Sequence, residues 1–387
     1  MQFKGERLKH FLFASSALVA SGSAYLLNLS LIYILDSKVE YSHFLSLNSW
    51  AVYLSTFSYL LILDLYLGPN RDQYQLEALL GLSGLCIVSF VGLLLLMTMV
   101  SGSTKLFAIT IGTFGFSLFK LACQYFIYSK KIAPVAWLRY LRSGLILLAI
   151  GLLFACREKI TLSGATQVLL QGTLCLVALS LVWPLYGLFK QTGLKEVRQV
   201  LRFDGWRLFK RNASLLVDTI HMPLFYLFVS GYSAELPALF IYALGILLPG
   251  GYVVSTLLRE QVLVRDGLIE KMLRSRLGIP MLTCYGLIIC MASIFALLKS
   301  DYALIGLILL LTGLISLSGA IGTVLYRRGL ENFDLGINLI ISSLLVVLYF
   351  YSQQSETLWV VNLSLLCLLF KFCAQLLVAF MSTRISD

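Results

Sequence analysis

Charge is scarce in this sequence. Only 13% of its 387 residues are Asp, Glu, Lys or Arg, against about a quarter in soluble domains. A soluble chain of this length could bury a large core, but it would still need a charged surface, and these residues cannot supply one. Histidine is rarer still, at three, and proline stands at seven. No G-x-x-x-x-G-K-[S/T] loop occurs, so no nucleotide drives the chain directly. No zinc-ligand spacing, activated nucleophile or carboxylate dyad stands out, so neither a cofactor nor a metal is expected, and an enzyme is not. The eight cysteines lack metal spacing and the look of an extracellular disulfide frame. Seven lie inside apolar runs and Cys156 ends another, as small apolar filler would.

What the sequence has instead is apolar length. Hydrophobic residues make up 59% of the chain and mean hydropathy is +0.88. Runs long enough to cross a hydrocarbon core of ~30 Å recur at 11–35, 41–66, 78–100, 104–128, 133–155, 165–189, 208–231, 236–258, 277–298, 302–326, 332–351 and 357–380. Lipid offers the backbone no hydrogen bonds, and barrel strands would be about half as long, so the runs should be helices. The expected architecture is therefore all-α and polytopic, with about twelve transmembrane helices. The basic start and apolar run of "MQFKGERLKHFLFASSALVA" look like a signal peptide. No small-x-small cleavage site follows, which favours a first spanning helix.

The net charge of +11 is distributed by side. Alternate connections carry 21 basic residues, among them Lys4, Arg7, Arg71, Lys130, Arg259 and Arg327, and seven lie in the central stretch from Lys190 to Arg211. The other side carries Lys38, Lys105, Arg157, Lys159 and Lys299. The positive-inside rule then puts both termini and the centre in the cytoplasm. Attraction to anionic inner-leaflet lipid is a secondary effect of the same charge, and nucleic acid is not needed to explain it. The centre divides the chain into a six-helix lobe at 1–189, a basic linker at 190–210 and a second six-helix lobe at 211–387. Both lobes open alike, with an apolar helix, a short acidic outer turn ("DSKVEY", "GYSAEL") and a second helix.

Four basic residues stand at membrane depth: Lys120, Arg139, Arg142 and Lys371. A charge at a helix centre costs about 2.5–3.5 kcal/mol even on the mildest scales, so each must face a cavity, pair with an acid or snorkel. The membrane acids are fewer. Asp64 can pair with Arg71 or cap its turn. In "LLVDTIHMPLFYLF", Asp218 and His221 are three apart and would share a helical face, with Pro223 permitting a bend. Two roles are open to Asp218, neutralising a base or taking up a proton, and His221 would titrate near pH 6.5 if wet. Bases in excess at depth would make an electropositive chamber, and arginine binds phosphate bidentately. Tyr25, Asn28, Gln124, Tyr125, Asn338, Asn362 and Gln375 offer hydrogen bonds to a sugar, or to one another.

Six helices plus six, cytoplasmic ends and a basic centre resemble the superfamily of MATE and polysaccharide exporters, in particular bacterial O-antigen and exopolysaccharide flippases. The likeness is strongest over "FKRNASLLVDTIHMPLFYLFVSGYSAELPALFIYALGILLPGGYVVSTLLRE", with "IYALG" at Ile241–Gly245. Two features depart from the family pattern: Asp218 is followed by Thr219 instead of arginine, and no proline follows "VVSTLL". The resemblance implies a flippase in the bacterial inner (cytoplasmic) membrane that moves an undecaprenyl-diphosphate-linked oligosaccharide outward by alternating access. Lys120, Arg139, Arg142 and Lys371 would then receive the diphosphate. Asp218, His221 and Asp64 would tune the field or couple to ions. Membrane lipids, polysaccharide polymerase and glycosyltransferases would be its partners. The alternatives are an ion-coupled small-molecule exporter of the same fold and a non-transporting component of a polysaccharide assembly complex.

Overall fold

A computed structural model describes residues 2–35, 37–67, 74–155, 167–173, 194–232, 234–248, 303–327, 329–351 and 357–385. The elements in order are α1 (Gln2–Ile34), α2 (Lys38–Phe57), a short 3-10 helix (Ile62–Leu67), α3 (Leu76–Ser101), α4 (Thr104–Tyr128) and α5 (Ile132–Ala155). After a helical stretch at 167–173 come α6 (Leu194–Thr219), α7 (His221–Gly231), α8 (Ala238–Leu248), α9 (Ala303–Arg327), α10 (Glu331–Tyr351) and α11 (Thr357–Ile385). The described residues contain no strand. Six helical spans among them are long and apolar enough to cross a membrane: Ser15–Ile34, Leu76–Ser101, Thr104–Tyr128, Ala133–Ala155, Asp204–Gly231 and Glu331–Tyr351. The expected helix at 277–298, most of the one at 165–189 and the basic residues Arg71, Arg157, Lys159, Arg259 and Lys299 lie outside the described residues.

Contacts cluster the chain into two units, Met1–Asn212 and Ala213–Asp387. In the first, α1 packs on α5, and α4 packs on α2, α3 and α5. Tyr41, Leu63, Leu80, Leu121 and Val135 are fully enclosed there. In the second, α11 packs on α9 and α10, and α10 also touches α7. Outward faces are apolar, with Leu85, Val88, Met99 and Val100 exposed on α3 and Ile340, Leu344 and Val347 on α10. This is the inverse of a soluble bundle and what a helix against acyl chains requires.

Local chemistry explains several element ends. Ser37 caps α2 by accepting from Glu40 N–H at 3.2 Å, and Ser103 caps α4 by accepting from Leu106 N–H. Gly102 closes α3 in the left-handed region (φ +62), where a side chain would be strained.

Two expected helices are interrupted. The run at 41–66 is not one helix: α2 stops at Phe57, Leu60 and Leu61 adopt left-handed backbone (φ 51 and 49), and the chain restarts as the 3-10 helix. Neither residue is glycine, so this conformation costs about 1–2 kcal/mol apiece. Tertiary contacts hold it, including a hydrogen bond from the Asn212 side chain to the Leu60 carbonyl at 2.6 Å. The run at 208–231 likewise divides at Ile220, between Asp218 and His221. Pro223 sits in the first turn of α7, where its missing N–H leaves little unsatisfied. The basic stretch ahead of this run is itself helix from Leu194 onward.

Candidate functional site

The second unit has a polar interior built from side chains one helical turn apart. On α10, Asp334, Asn338 and Ser342 recur every four residues and are all buried. On α11, Lys371 and Gln375 do the same, 3% and 1% exposed. Ser214 and Asp218 occupy one face of the last turns of α6. These three stripes meet. The Ser214 hydroxyl donates to Asp334 Oδ2 at 2.7 Å and accepts from the Asn338 amide at 2.9 Å. Gln375 donates to Asp334 Oδ1 at 2.9 Å. The Ser342 hydroxyl donates to the Val217 carbonyl, and Lys371 forms an ion pair with Asp218. Asp334 also faces Gly322 of α9, where an added Cβ would lie in ordinary contact with Oδ1 at 3.8 Å.

Two acceptors in this cluster are unspent. Asn338 Oδ1 and Gln375 Oε1 are buried and meet no donor among the described residues. Both amides have committed an N–H, Asn338 to Ser214 and Gln375 to Asp334. Their oxygens therefore keep lone pairs free within a network that holds a carboxylate. Such an arrangement is suited to a proton or a cation. Further along the same faces the chemistry turns aromatic: Tyr349 packs with Phe225 and Phe228 at 6.0 and 6.3 Å between ring centres, and Ser364 donates to its hydroxyl at 3.3 Å.

The structure distributes the residues singled out from sequence over both units. Lys371 and Asp218 are brought together. His221 is buried on α7, and Nε2 meets no hydrogen-bond partner among the described residues. In the first unit, Lys120 on α4 donates to Ser55 Oγ, Thr56 Oγ1 and the Val52 carbonyl of α2. Arg139 and Arg142 share α5. Arg139 stacks over Phe13 of α1 at 4.8 Å, and Arg142 over Phe119 of α4 at 4.9 Å.

Asp64 belongs to a different assembly. It lies 1% exposed in the 3-10 helix, accepts from the Tyr128 hydroxyl at 2.6 Å and approaches Arg211 Nε at 3.8 Å. The expected alternative partner, Arg71, is outside the described residues. Nearby on α6, Asp204 accepts from the Tyr74 hydroxyl at 2.8 Å, and Asn212 reaches Leu60. Burial and the Asp204 carboxylate push the Tyr74 phenol well above its ordinary range. Glu77 accepts from the Tyr125 hydroxyl at 3.4 Å, so that hydroxyl, a sugar-binding candidate by sequence, has a protein partner.

Sequence reasoning missed Asp334, Ser214, Gln167 and Gln171. The signal for Asp334 was present, since Asp334, Asn338 and Ser342 keep helical spacing, but Asp334 sits near the start of its run, where acids are ordinary. Gln167 and Gln171 are 0% and 2% exposed, one turn apart, and none of their four amide atoms has a partner among the described residues. The Gln171 amide lies against Gly112 of α4, where any side chain would displace it.

No protein-family model matches this chain, and no curated protein matches it. Among solved structures, the chain is similar to the crystal structure of the eukaryotic MATE transporter AtDTX14, with a TM-score of 0.57 and 14% sequence identity, covering 100% of this chain and 97% of that one. At that identity the likeness is one of fold. This is a multi-pass, all-helical membrane protein with a MATE-like fold.

Proposed function

We propose that the chain is a secondary transporter, not an enzyme, which exports a small molecule in exchange for a proton or monovalent cation bound in the second unit. One observation carries this reading: the Asp334 carboxylate is hydrogen-bonded to Gln375 and, through Ser214, linked to Asn338, and the buried oxygens of both amides, Asn338 Oδ1 and Gln375 Oε1, have no donor among the described residues. An unmet buried acceptor costs about 1–3 kcal/mol, and an incoming cation or proton would recover that. The Asp218–Lys371 pair next to it supplies a switchable charge. A proton taken by Asp218 would release the ammonium, and a conformational change can be driven by that difference in binding.

A second reading concerns the cargo. Lys120, Arg139 and Arg142 place three positive charges in the first unit, and Arg142 Nε is buried without a hydrogen-bond partner among the described residues. These groups favour an anionic cargo, and a lipid-linked diphosphate saccharide in a bacterial inner membrane is one of that class. Membrane lipids, polymerase and glycosyltransferases would be partners on this reading.

Reconstituted vesicles separate the two. A fluorescent organic cation should move against its gradient when a proton or sodium gradient is imposed, and Asp334→Asn should abolish the coupling while leaving the protein folded. Gradient-independent movement of a lipid-linked saccharide, with no effect of Asp334→Asn, would overturn the exporter reading in favour of the flippase.

A further inference from the structure

The first unit contains a charged group held against three oxygens of one helix. Lys120 Nζ lies 2.9 Å from Ser55 Oγ, 3.0 Å from Thr56 Oγ1 and 3.3 Å from the Val52 carbonyl oxygen. All three oxygens come from the last turn and a half of α2, which ends at Phe57. Both hydroxyls have already spent their protons on the same carbonyl: Ser55 donates to Val52 O at 2.6 Å and Thr56 at 3.0 Å. A hydroxyl has one proton, so each oxygen can offer Lys120 only lone pairs. The neighbouring Ser58–Ser117 hydrogen bond at 2.6 Å holds α2 and α4 at this level.

The backbone adds to the effect. The end of a helix carries partial negative charge on its carbonyls, and here the helix stops inside an apolar segment because Leu60 and Leu61 turn left-handed. Broken helices in secondary transporters use such C-terminal ends to coordinate monovalent cations. At the end of α2 the position is taken by an ammonium that belongs to the protein.

We infer that Lys120 is a tethered cation: its ammonium fills a monovalent-cation site made by Val52 O, Ser55 Oγ and Thr56 Oγ1, and removing the side chain opens that site to a free monovalent cation. The first unit thereby has the electrostatic benefit of a bound ion without exchanging one. This inference is independent of the coupling proposed for the second unit, and its failure would leave that reading intact.

The test uses the full chain in detergent, with thermal unfolding followed in sodium, potassium, ethylammonium or N-methylglucamine chloride at matched ionic strength. The wild type should melt at one temperature in all four. Lys120→Ala should melt lower in N-methylglucamine, which is too large for the site. It should recover by about 3 °C or more in at least one of the small cations, as binding to the native state alone requires. Adding Ser55→Ala and Thr56→Val to Lys120→Ala should remove the recovery. A Lys120→Ala protein that melts identically in every salt overturns the inference. If that variant does not fold, amine acylation decides: Lys120 should react several-fold faster in Ser55→Ala/Thr56→Val than in wild type. Equal rates overturn the inference as well.

Discussion

Lys371 and Asp218 neutralise each other within the second unit, the lysine 3% exposed on α11 and the aspartate in the last turn of α6. Removing one partner of such a pair strands the other charge, at about 3–5 kcal/mol, whereas replacing both with apolar groups is often neutral. Lys371→Met should therefore lower the melting temperature in detergent sharply. Lys371→Met/Asp218→Leu should recover most of the loss. A double variant no more stable than the single one would mean that the pair is not the reason for either residue.

The left-handed backbone at Leu60 is a second point of access. Leu60 is 44% exposed, so its side chain adds little packing, while its φ of 51 is one that glycine adopts without penalty. Leu60→Gly should stabilise the protein by about 1 kcal/mol. Leu61→Gly should not, because Leu61 is 1% exposed and its side chain is part of the core. Chemical or thermal unfolding of the two variants side by side checks the contrast.

Gln167 and Gln171 present buried amides that meet no partner among the described residues. Leucine is one bond shorter and carries no polar atoms, so Gln167→Leu/Gln171→Leu should raise stability by roughly 1–3 kcal/mol for each amide relieved. If those amides serve the cargo, the same variant will transport poorly. Melting and vesicle transport measured on one preparation reveal whether stability and activity move in opposite directions.

Tyr74 sets a dependence on alkaline pH. Burial and Asp204 raise its phenol above the ordinary value of 10.0, so the folded state holds that proton more tightly than the unfolded chain. The associated stability is fully present below pH 10 and is lost as pH climbs above it. Tyr74→Phe should be less stable at neutral pH by about 1–3 kcal/mol, because Asp204 loses a buried donor. It should also flatten the decline of stability above pH 10. An unchanged alkaline slope would show that Tyr74 does not titrate with unfolding.

Much of this was legible before the structure. Apolar length and scarce charge announced a helical membrane protein, and Lys371 and Asp218 stood out as charges at membrane depth, with pairing one of the roles left open for them. Asn338 and Gln375 were visible as polar residues in oily runs. Their partner Asp334 was hidden by its place near a helix start, where an acid has an ordinary explanation. The break at Ile220 had a cue in Pro223. The break at Leu60 had none: "STFSYLLILDLYL" contains neither glycine nor proline, and among the contacts that hold the bend is the Asn212 side chain, 152 residues later. Arg139 and Arg142 share a helix but divide between Phe13 and Phe119, a choice made by packing that spacing alone does not contain.

That distance along the chain has a consequence for biogenesis. Leu60 enters the membrane long before Asn212 is synthesised, and at about 5–20 residues per second the interval is roughly 8–30 s. The same wait applies to Asp64 for Arg211, and to Tyr74 for Asp204. Through that interval the second apolar segment has no reason to break, and lipid favours a continuous helix. The left-handed turn is therefore a late event, made when the start of α6 arrives and completes the first unit.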